Sequence, residues 1–189
     1  MSLEERRPDH PPEPILCFTS SNLEDVVPHE DDPLVIFVVT VGRKVHKVLI
    51  DQGSSADVMF WGTFTSLQLS PDQLRPYDGC LVGFVRDQVE IRGYIELRMT
   101  FSDDIVTRTI TIRYIVINAS SAYNLLLGRP SLNRLGVVAS TAHMKMKLPT
   151  SEGGMITINS EKKTSRKCYE SSLKNRRGTY TITIQARDP

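Results

Sequence analysis

The chain has 189 residues and a net charge of +1, from 23 Lys and Arg against 22 Asp and Glu, so its overall charge indicates no charged partner. Its three cysteines, Cys17, Cys80 and Cys168, are too widely spaced for a metal site, and their odd number argues against a disulfide framework. The first residues are charged and proline-rich, unlike a signal peptide, and no apolar run approaches the length of a membrane span. We therefore expect a soluble cytoplasmic protein without a membrane partner.

Charge is distributed unevenly and divides the chain into three parts. Residues 1–33 hold nine acids against two bases, whereas residues 161–177 hold seven bases against two acids. Such charged, pattern-poor stretches are typical of solvated segments. We predict an acidic, largely disordered lead-in over residues 1–30, a folded domain over residues 31–160, and a basic linker and tail over residues 161–189.

Hydrophobic patterning predicts many short strands and only two short helices. The predicted strands are β-branched runs or alternating apolar and polar residues, and they cover residues 34–41, 45–50, 80–84, 89–102, 106–117, 125–127, 137–139, 144–148 and 155–158. The third and fourth are predicted to form a β-hairpin with an exposed tip. One helix is predicted within residues 58–67 and another at 130–135, where Pro130 can begin a helix and Gly136 can end it. This balance predicts an all-β fold.

Asp51 stands where the second predicted strand breaks into a polar turn. Three apolar residues, 48–50, run directly into this acid, and Gly53 follows two residues later. An acid at such a place is common at ordinary strand-to-turn junctions, but the end of a rigid strand is also where catalytic groups are often held. A second apolar run, Leu125–Leu127, similarly ends in a glycine, Gly128.

Three features follow one another in a specific order: a strand ending in Asp-x-Gly-Ser, a hairpin tip, and Leu-Leu-Gly-Arg before a short helix. Together they resemble a retropepsin, the one-lobed aspartic protease of retroviruses and LTR retrotransposons, and the resemblance is closest to plant gypsy-type retrotransposons. The matching segments spread over most of the chain and include Pro28–His29, Ile50–Asp57, Ser121–Asn124, Leu127–Pro130, Leu132–Asn133, Ser140–Thr141, Cys168–Tyr169 and Ser171–Leu173. The triplet Asp-x-Gly alone is weak, but the ordered set is specific.

The resemblance implies a closed, retropepsin-like β-barrel lobe with one short helix, acting as a homodimer. Asp51 would be the catalytic carboxylate, Gly53 would let its loop pass close to the partner loop, and Ser54 would hydrogen-bond to the carboxylate. The rest of the implied active-site loop is Gln52, Gly53, Ser54 and Ser55. The implied flap consists of Gly83, Phe84, Val85, Arg86, Asp87 and Gln88. The residues implied to close the loop are Leu127, Gly128 and Arg129.

The implied activity is an aspartic endopeptidase that hydrolyses a retrotransposon polyprotein, in the cytoplasm or in virus-like particles. Peptide hydrolysis without a metal needs a general base for water and a general acid for the leaving amine. Two adjacent carboxylates that share one proton can supply both, because like charges so close cannot both ionise. The chain has one Asp-x-Gly-Ser loop, so the second carboxylate must come from another copy. The resemblance implies an extended polypeptide substrate, no cofactor and no metal, and nucleic acid is not expected as a partner.

Gln52 keeps a second function class open. Retropepsins usually have threonine or serine after the catalytic acid, and that hydroxyl bonds across the dimer to join the two loops. Glutamine cannot copy this bond in the same space, which favours a catalytically weakened or inactive module that dimerises or binds peptides. A third class, a host protein that uses this fold in ubiquitin-linked turnover, has less support because no ubiquitin-like segment is visible.

Three further side-chain sets are interpreted from the sequence alone. Met144, Met146 and Leu148 form an apolar stripe with no obvious cover, so we predict that the hairpin at 144–158 supplies much of the dimer interface. Asp57 lies in the same loop as the catalytic acid, and we interpret it as a structural or surface residue. His143 has no Cys or His neighbour at ligand spacing, so no metal role is expected.

Overall fold

The structure is a computed structural model, and it describes residues 14–23, 31–79, 81–82, 89–103, 105–174 and 185–186. The strands of these residues are β1 (Val35–Thr40), β2 (Arg43–Ile50), β3 (Val58–Phe60), β4 (Leu81–Val82), β5 (Ile91–Ser102), β6 (Thr107–Ile117), β7 (Leu125–Leu127), β8 (Val138–Ser140), β9 (Lys145–Pro149), β10 (Met155–Asn159) and β11 (Gln185–Ala186). The α-helices are α1 (Trp61–Ser66), α2 (Arg129–Leu135) and α3 (Lys162–Lys174), and short 3₁₀ turns cover Ser20–Leu23 and Pro71–Gln73.

Six strands close into a barrel in the order β1-β2-β7-β3-β6-β5, so the predicted all-β class and closed barrel are confirmed. The β5–β6 hairpin is the longest ladder, and β2–β7 and β3–β6 pair in parallel. The β1–β2 hairpin turns through two residues, Val41 and Gly42, whose φ angles are 50° and 68°. Both angles fit the turn type that matches the twist of a two-residue hairpin.

The barrel interior is filled by the apolar side of its alternating strands. The largest fully buried side chains of this core are Tyr114, Phe64, Phe101, Ile36, Met59, Met99, Ile112, Leu125, Leu127 and Leu135. Helix α2 closes one side of this core and ends at Gly136, whose φ of 62° is the left-handed C-terminal conformation that glycine favours. The structure therefore contains the two helices predicted from the sequence.

A three-stranded sheet, in the order β10-β9-β8, packs beside the barrel, and it corrects one prediction. Met144, Met146 and Leu148 were expected to form an exposed dimer interface, but they are 3%, 0% and 0% exposed. Met146 and Leu148 belong to the same core cluster as the barrel side chains. The stripe is not exposed, because the barrel covers the apolar face of this hairpin, and the dimer interface expected at residues 144–158 stays a prediction.

Helix α3 occupies much of the stretch that was predicted to be a basic linker. The described residues therefore contain three α-helices, whereas the resemblance implied a single one. The apolar and small side chains of α3 face the barrel, where Ser165 and Cys168 are 0% and 2% exposed. Just before the helix, the Ser160 hydroxyl accepts from Val35 N at 3.1 Å and donates to Val35 O at 2.9 Å. Cys168 Sγ contacts the Ala122 carbonyl oxygen at 3.4 Å. The folded domain therefore continues through residue 174.

Residues 14–23 also differ from the predicted disordered lead-in. Lys147 on β9 is only 6% exposed, and its Nζ donates to Cys17 O at 2.7 Å and to Asn22 Oδ1 at 3.1 Å. The same ammonium lies 4.9 Å from the centre of the Phe18 ring. These contacts fasten the segment across the outside of the three-stranded sheet, whereas residues 1–13 and 24–30 lie outside the described residues.

The predicted hairpin around the flap is described only in part. The flap residues, 83–88, lie outside the described residues. Strand β4 pairs with β11, through Leu81↔Ala186 and Val82↔Gln185, while β5 pairs with β6 and β1. None of the described helices is both long and apolar enough to cross a membrane.

Candidate active site

Asp51 is the first residue beyond β2, and the neighbouring strand fixes its backbone. Ile50 is paired with Leu127 in the parallel β2–β7 ladder, and Asp51 N donates to Leu127 O at 2.9 Å. The residue is partly exposed at the surface of the protomer. A carboxylate is thus held on a rigid strand end while its side chain remains accessible.

The turn after Asp51 folds back onto the carboxylate. Gly53 N donates to Asp51 Oδ1 at 2.9 Å, and Ser54 N donates to the Asp51 carbonyl oxygen at 3.3 Å. A Cβ atom on residue 53 would lie 3.1 Å from Asp51 Oδ1, tighter than nearly all real Cβ contacts. Glycine therefore allows the backbone amide to approach the carboxylate and to hold Oδ1 in place.

The structure gives Ser54 a different partner from the one that the resemblance implied. Its hydroxyl donates to the Ala56 carbonyl oxygen at 3.0 Å, and the residue is fully buried. Because a serine hydroxyl carries a single proton, this bond directs it into the turn and away from the Asp51 carboxylate. Ser54 therefore shapes the loop rather than orienting the acid, while Ser55 lies half-buried in the same loop.

The residues implied to close the loop do contact it from the start of α2. Arg129 N donates to Ser54 O at 2.9 Å, and Arg129 Nη1 donates to Gly53 O at 2.9 Å and to Gln52 O at 3.3 Å. The guanidinium thus satisfies carbonyl groups that a tight turn cannot pair within itself. The Gln52 side chain is exposed, so only its backbone is held within the protomer.

Asp57, in the same loop as Asp51, occupies a buried position that the sequence did not predict. It is 4% exposed, its Oδ1 accepts from Gly128 N at 2.8 Å, and its Oδ2 accepts from the Ser131 hydroxyl at 2.7 Å. Burial raises the pKa of Asp57 from 3.8 to about 6, although the bonds from Ser131 and Gly128 pull it down. The structural part of the earlier interpretation is confirmed, and the surface part is wrong. The available signal was an acid directly before the apolar run of β3.

A second apolar cluster adjoins the loop. Its buried members are Ala56, Val58, Phe60, Ile115, Ile117 and Leu126, and its partly buried members include Leu49, Tyr77, Val89, Ile91, Ala119 and Tyr123. Burial, with smaller contributions from the nearby Cys168 and Asp51, raises the pKa of Tyr123 to about 12. Ala56 belongs both to this cluster and to the loop that begins at Asp51, so the cluster borders the candidate active-site loop.

No group of three or more His, Cys, Asp or Glu side chains in the described ranges could hold a metal ion. The arrangement offers instead an accessible carboxylate with one backbone donor. Such a group can take up or release a proton, and it can pair with a second carboxylate if another loop is brought against it.

The chain is similar to known proteins in its fold and not in its sequence. No protein-family model matches the chain, and no curated protein matches it in sequence. Among solved structures, the chain is similar to the retroviral protease-like domain of Ddi1 from Leishmania major, with a TM-score of 0.51 and 17% identity over 68% of this chain and 93% of that one. The barrel therefore has the fold of retropepsin-like aspartic proteases.

Two further solved structures are similar at lower TM-scores. The EIAV protease in complex with the inhibitor HBY-793 gives 0.43 and 23% identity, over 61% of this chain and 99% of that one. A retropepsin-like aspartic protease from Rickettsia conorii gives 0.41 and 13% identity, over 66% of this chain and 80% of that one.

Proposed function

We propose that the protein is an aspartic endopeptidase of the retropepsin type, in which Asp51 of two copies forms the catalytic dyad. One observation carries the proposal: the Asp51 carboxylate is accessible, and its loop is fixed from both sides. Gly53 N donates to Oδ1 from within the loop, and Arg129 holds the carbonyl groups of the same loop from α2. This is the rigidity that a proton-transfer group requires.

In the proposed reaction the two Asp51 side chains share one proton. The ionised carboxylate takes a proton from water as the water oxygen attacks the peptide carbonyl carbon. The protonated carboxyl donates its proton to the carbonyl oxygen, which gives a tetrahedral intermediate with two hydroxyl groups. The carboxyl that took the proton from water then donates it to the leaving nitrogen as the C–N bond breaks, and the other carboxylate takes back a proton from one of the two hydroxyl groups. The pair titrates as one unit rather than as two separate acids.

Asp57 cannot take the place of the second carboxylate. Both of its oxygens are engaged by Gly128 N and the Ser131 hydroxyl, and the side chain is almost completely buried. Water activation needs an oxygen that solvent can reach. The proposal therefore requires a homodimer, with the two Asp51 loops meeting at a twofold axis.

The proposed substrate is an extended polypeptide, and the proposed biological substrate is a retrotransposon polyprotein of the plant gypsy type. The partly buried members of the second apolar cluster, such as Leu49 and Tyr123, lie near the loop and can receive apolar side chains of such a peptide. Residues 83–88 would close over the bound peptide as a flap and exclude water. The proposed place of action is the cytoplasm or a virus-like particle.

Gln52 supports a second candidate, a module that dimerises or binds peptides without cleaving them. Its side chain is exposed on the protomer, and it directly follows Asp51, which would meet Asp51 of the second copy at the dimer axis. If two glutamines meet there, their amide groups must all find partners or weaken the contact. Peptide binding through the partly buried members of the second apolar cluster would not need a tight contact between the two copies at Gln52.

A cleavage assay separates the two candidates. The purified protein and an Asp51→Asn variant are incubated with a peptide library at mildly acid pH, with and without pepstatin, and both are sized by light scattering. A protease cleaves in a pepstatin-sensitive way as a dimer, and the variant does not cleave. Peptide binding without turnover in both proteins would instead establish the binding module.

A further inference from the structure

We propose that Asp57 is a positioning residue, which holds the Asp51 loop in its working geometry by acting through Gly128 and Ser131 on helix α2. This inference rests on the proposed function, since it names a residue on which the reactivity of Asp51 depends. Asp57 itself does not contact the substrate.

The backbone of Asp57 is fixed to the barrel wall. It directly precedes β3, and its carbonyl oxygen accepts from Ile115 N at 2.9 Å, in continuation of the β3–β6 ladder. Its side chain reaches in the other direction, to Gly128 and Ser131 in the first turn of α2. Asp57 therefore links the start of this helix to a strand that is hydrogen-bonded into the barrel.

The start of α2 in turn holds the active-site loop. Arg129 directly follows Gly128, and its amide and guanidinium donate to the carbonyl oxygens of Ser54 and Gly53. Gly53 then donates its own N–H to Asp51 Oδ1. A continuous path of hydrogen-bonded and adjacent residues thus leads from Asp57 through the start of α2 and the loop to the proposed catalytic carboxylate.

Two other groups near Asp57, Tyr114 and Arg134, make no side-chain hydrogen bond to Gly128 or Ser131 in the part of the chain that the structure describes. Tyr114, on β6, is fully buried, and its hydroxyl has no hydrogen-bond partner among the described residues. Arg134, on α2, exerts an electrostatic effect on Asp57, but its Nη1 donates to Thr111 O at 2.7 Å. If the carboxylate were removed, Gly128 N and the Ser131 hydroxyl would lose their acceptors inside a buried site.

The test compares Asp57→Leu with Asp57→Asn and uses Asp103→Leu as a matched control. Leucine has the same branching as aspartate, although it is larger, and it accepts no hydrogen bond, whereas asparagine can accept from Gly128 N and donate to Ser131. Asp103 also accepts from backbone amides, those of Ile105, Val106 and Thr157, but it lies at the β5–β6 turn. Each variant is measured for kcat, KM and thermal midpoint, and the amide exchange rate of Ser54 is followed.

We expect Asp57→Leu to lower kcat by at least about tenfold with little change in KM, because a small displacement of a reacting group slows the chemical step. Asp57→Asn should restore most of kcat, and Asp103→Leu should lower the thermal midpoint without lowering kcat. An unchanged kcat in Asp57→Leu, with only a lower thermal midpoint, overturns the proposal. If that variant does not fold, Ser131→Ala decides in the same way, because it removes only one donor.

Amide exchange separates this proposal from the proposed function. If the wild-type protein does not cleave peptides, the proposed function fails, but Ser54 N still donates to the Asp51 carbonyl oxygen in the loop. Faster exchange at Ser54 in Asp57→Leu, but not in Asp103→Leu, supports the positioning role even then. Exchange at Ser54 that matches wild type overturns it.

Discussion

Gly128 crosses Ala56 so closely that a Cβ atom on Gly128 would lie 2.3 Å from the Ala56 carbonyl oxygen. The obstacle is backbone, so it cannot move aside as the end of a flexible side chain could. The φ angle of Gly128 is −91°, which any residue can adopt, so close approach rather than conformation requires glycine here. The contact brings the first turn of α2 directly onto the loop that begins at Asp51.

Gly128→Ala should therefore destabilise the protein by about 3 kcal/mol and abolish cleavage, because the loop and the helix must separate to admit a methyl group. Gly62→Ala is the matched control. Gly62 is an exposed position of helix α1, and no atom beyond its chain neighbours and its own helix backbone lies within 4 Å of its Cβ position, so alanine should stabilise the protein by about 0.5–1 kcal/mol. Urea unfolding of both variants measures the difference. Equal stabilities would contradict the packing described for Gly128.

Asp51→Asn should lower peptide cleavage by more than about 100-fold, because an amide cannot exchange protons with water or the leaving amine. The asparagine Oδ1 can still accept from Gly53 N, so the thermal midpoint should stay near that of the wild type. Cleavage at the wild-type rate would show that Asp51 is not the general base. Calorimetry of the same sample provides the control for folding.

Gln52→Thr should tighten the dimer and raise the cleavage rate, with Asp51 still required. A buried amide that leaves one group unpaired costs about 1–3 kcal/mol, and threonine presents one small hydroxyl instead. Relief of that cost would lower the dimer dissociation constant by about tenfold or more. The measurement is a paired titration of dimer dissociation and peptide turnover. If threonine changes neither quantity or worsens both, glutamine is already accommodated at the axis.

The stability of the protein should depend on pH through Asp57. Its pKa is raised by burial to about 6 in the folded state, above its ordinary 3.8, so the folded protein binds the proton more tightly than the unfolded chain. The resulting stabilisation is fully present below the lower value and is lost as the pH rises through about 6. The shift corresponds to about 3 kcal/mol.

Asp57→Asn should remove this dependence, so urea unfolding of wild type and variant between mildly acid and neutral pH should diverge. Asp103 provides a control of opposite sign. Backbone hydrogen bonds from Val106 and Ile105 lower its pKa, so its contribution is lost as the pH falls. Parallel pH profiles for wild type and Asp57→Asn would show that the buried carboxyl does not titrate in this range.

The all-β class could be predicted because several strands are β-branched or alternating and are interrupted by clear turns, as in the Val35–Thr40 and Thr107–Ile117 strands, whereas the closed barrel was implied by the family resemblance. The position of Asp51 followed from the same reasoning, since a strand end and a glycine mark it in the sequence. Helix α3 could not be predicted, because the face it buries includes small or polar side chains such as Ser165 and Cys168. Its hydrophobic pattern is therefore too weak to read.

Two other errors came from packing between distant segments. The stripe at Met144, Met146 and Leu148 has the pattern of an interface, but the same pattern serves equally well for a hairpin covered by its own barrel. Asp57 shows the converse problem. An acid beside a turn usually faces water, and only the approach of Gly128 and Ser131, more than 70 residues later, makes its burial possible. Sequence patterns report local periodicity and not the partner that covers it.

The hydrogen bonds between Val35 and Ser160 join residues that are 125 positions apart. On the ribosome, the strand at Val35 is made early, whereas its partner Ser160 and the following helix are made late. Contacts of such long range slow folding, and an early strand with open backbone groups can pair with the wrong chain. Every nascent copy therefore passes through a state in which this edge is unprotected. Its synthesis should be sensitive to crowding by other copies until residue 160 has left the exit tunnel.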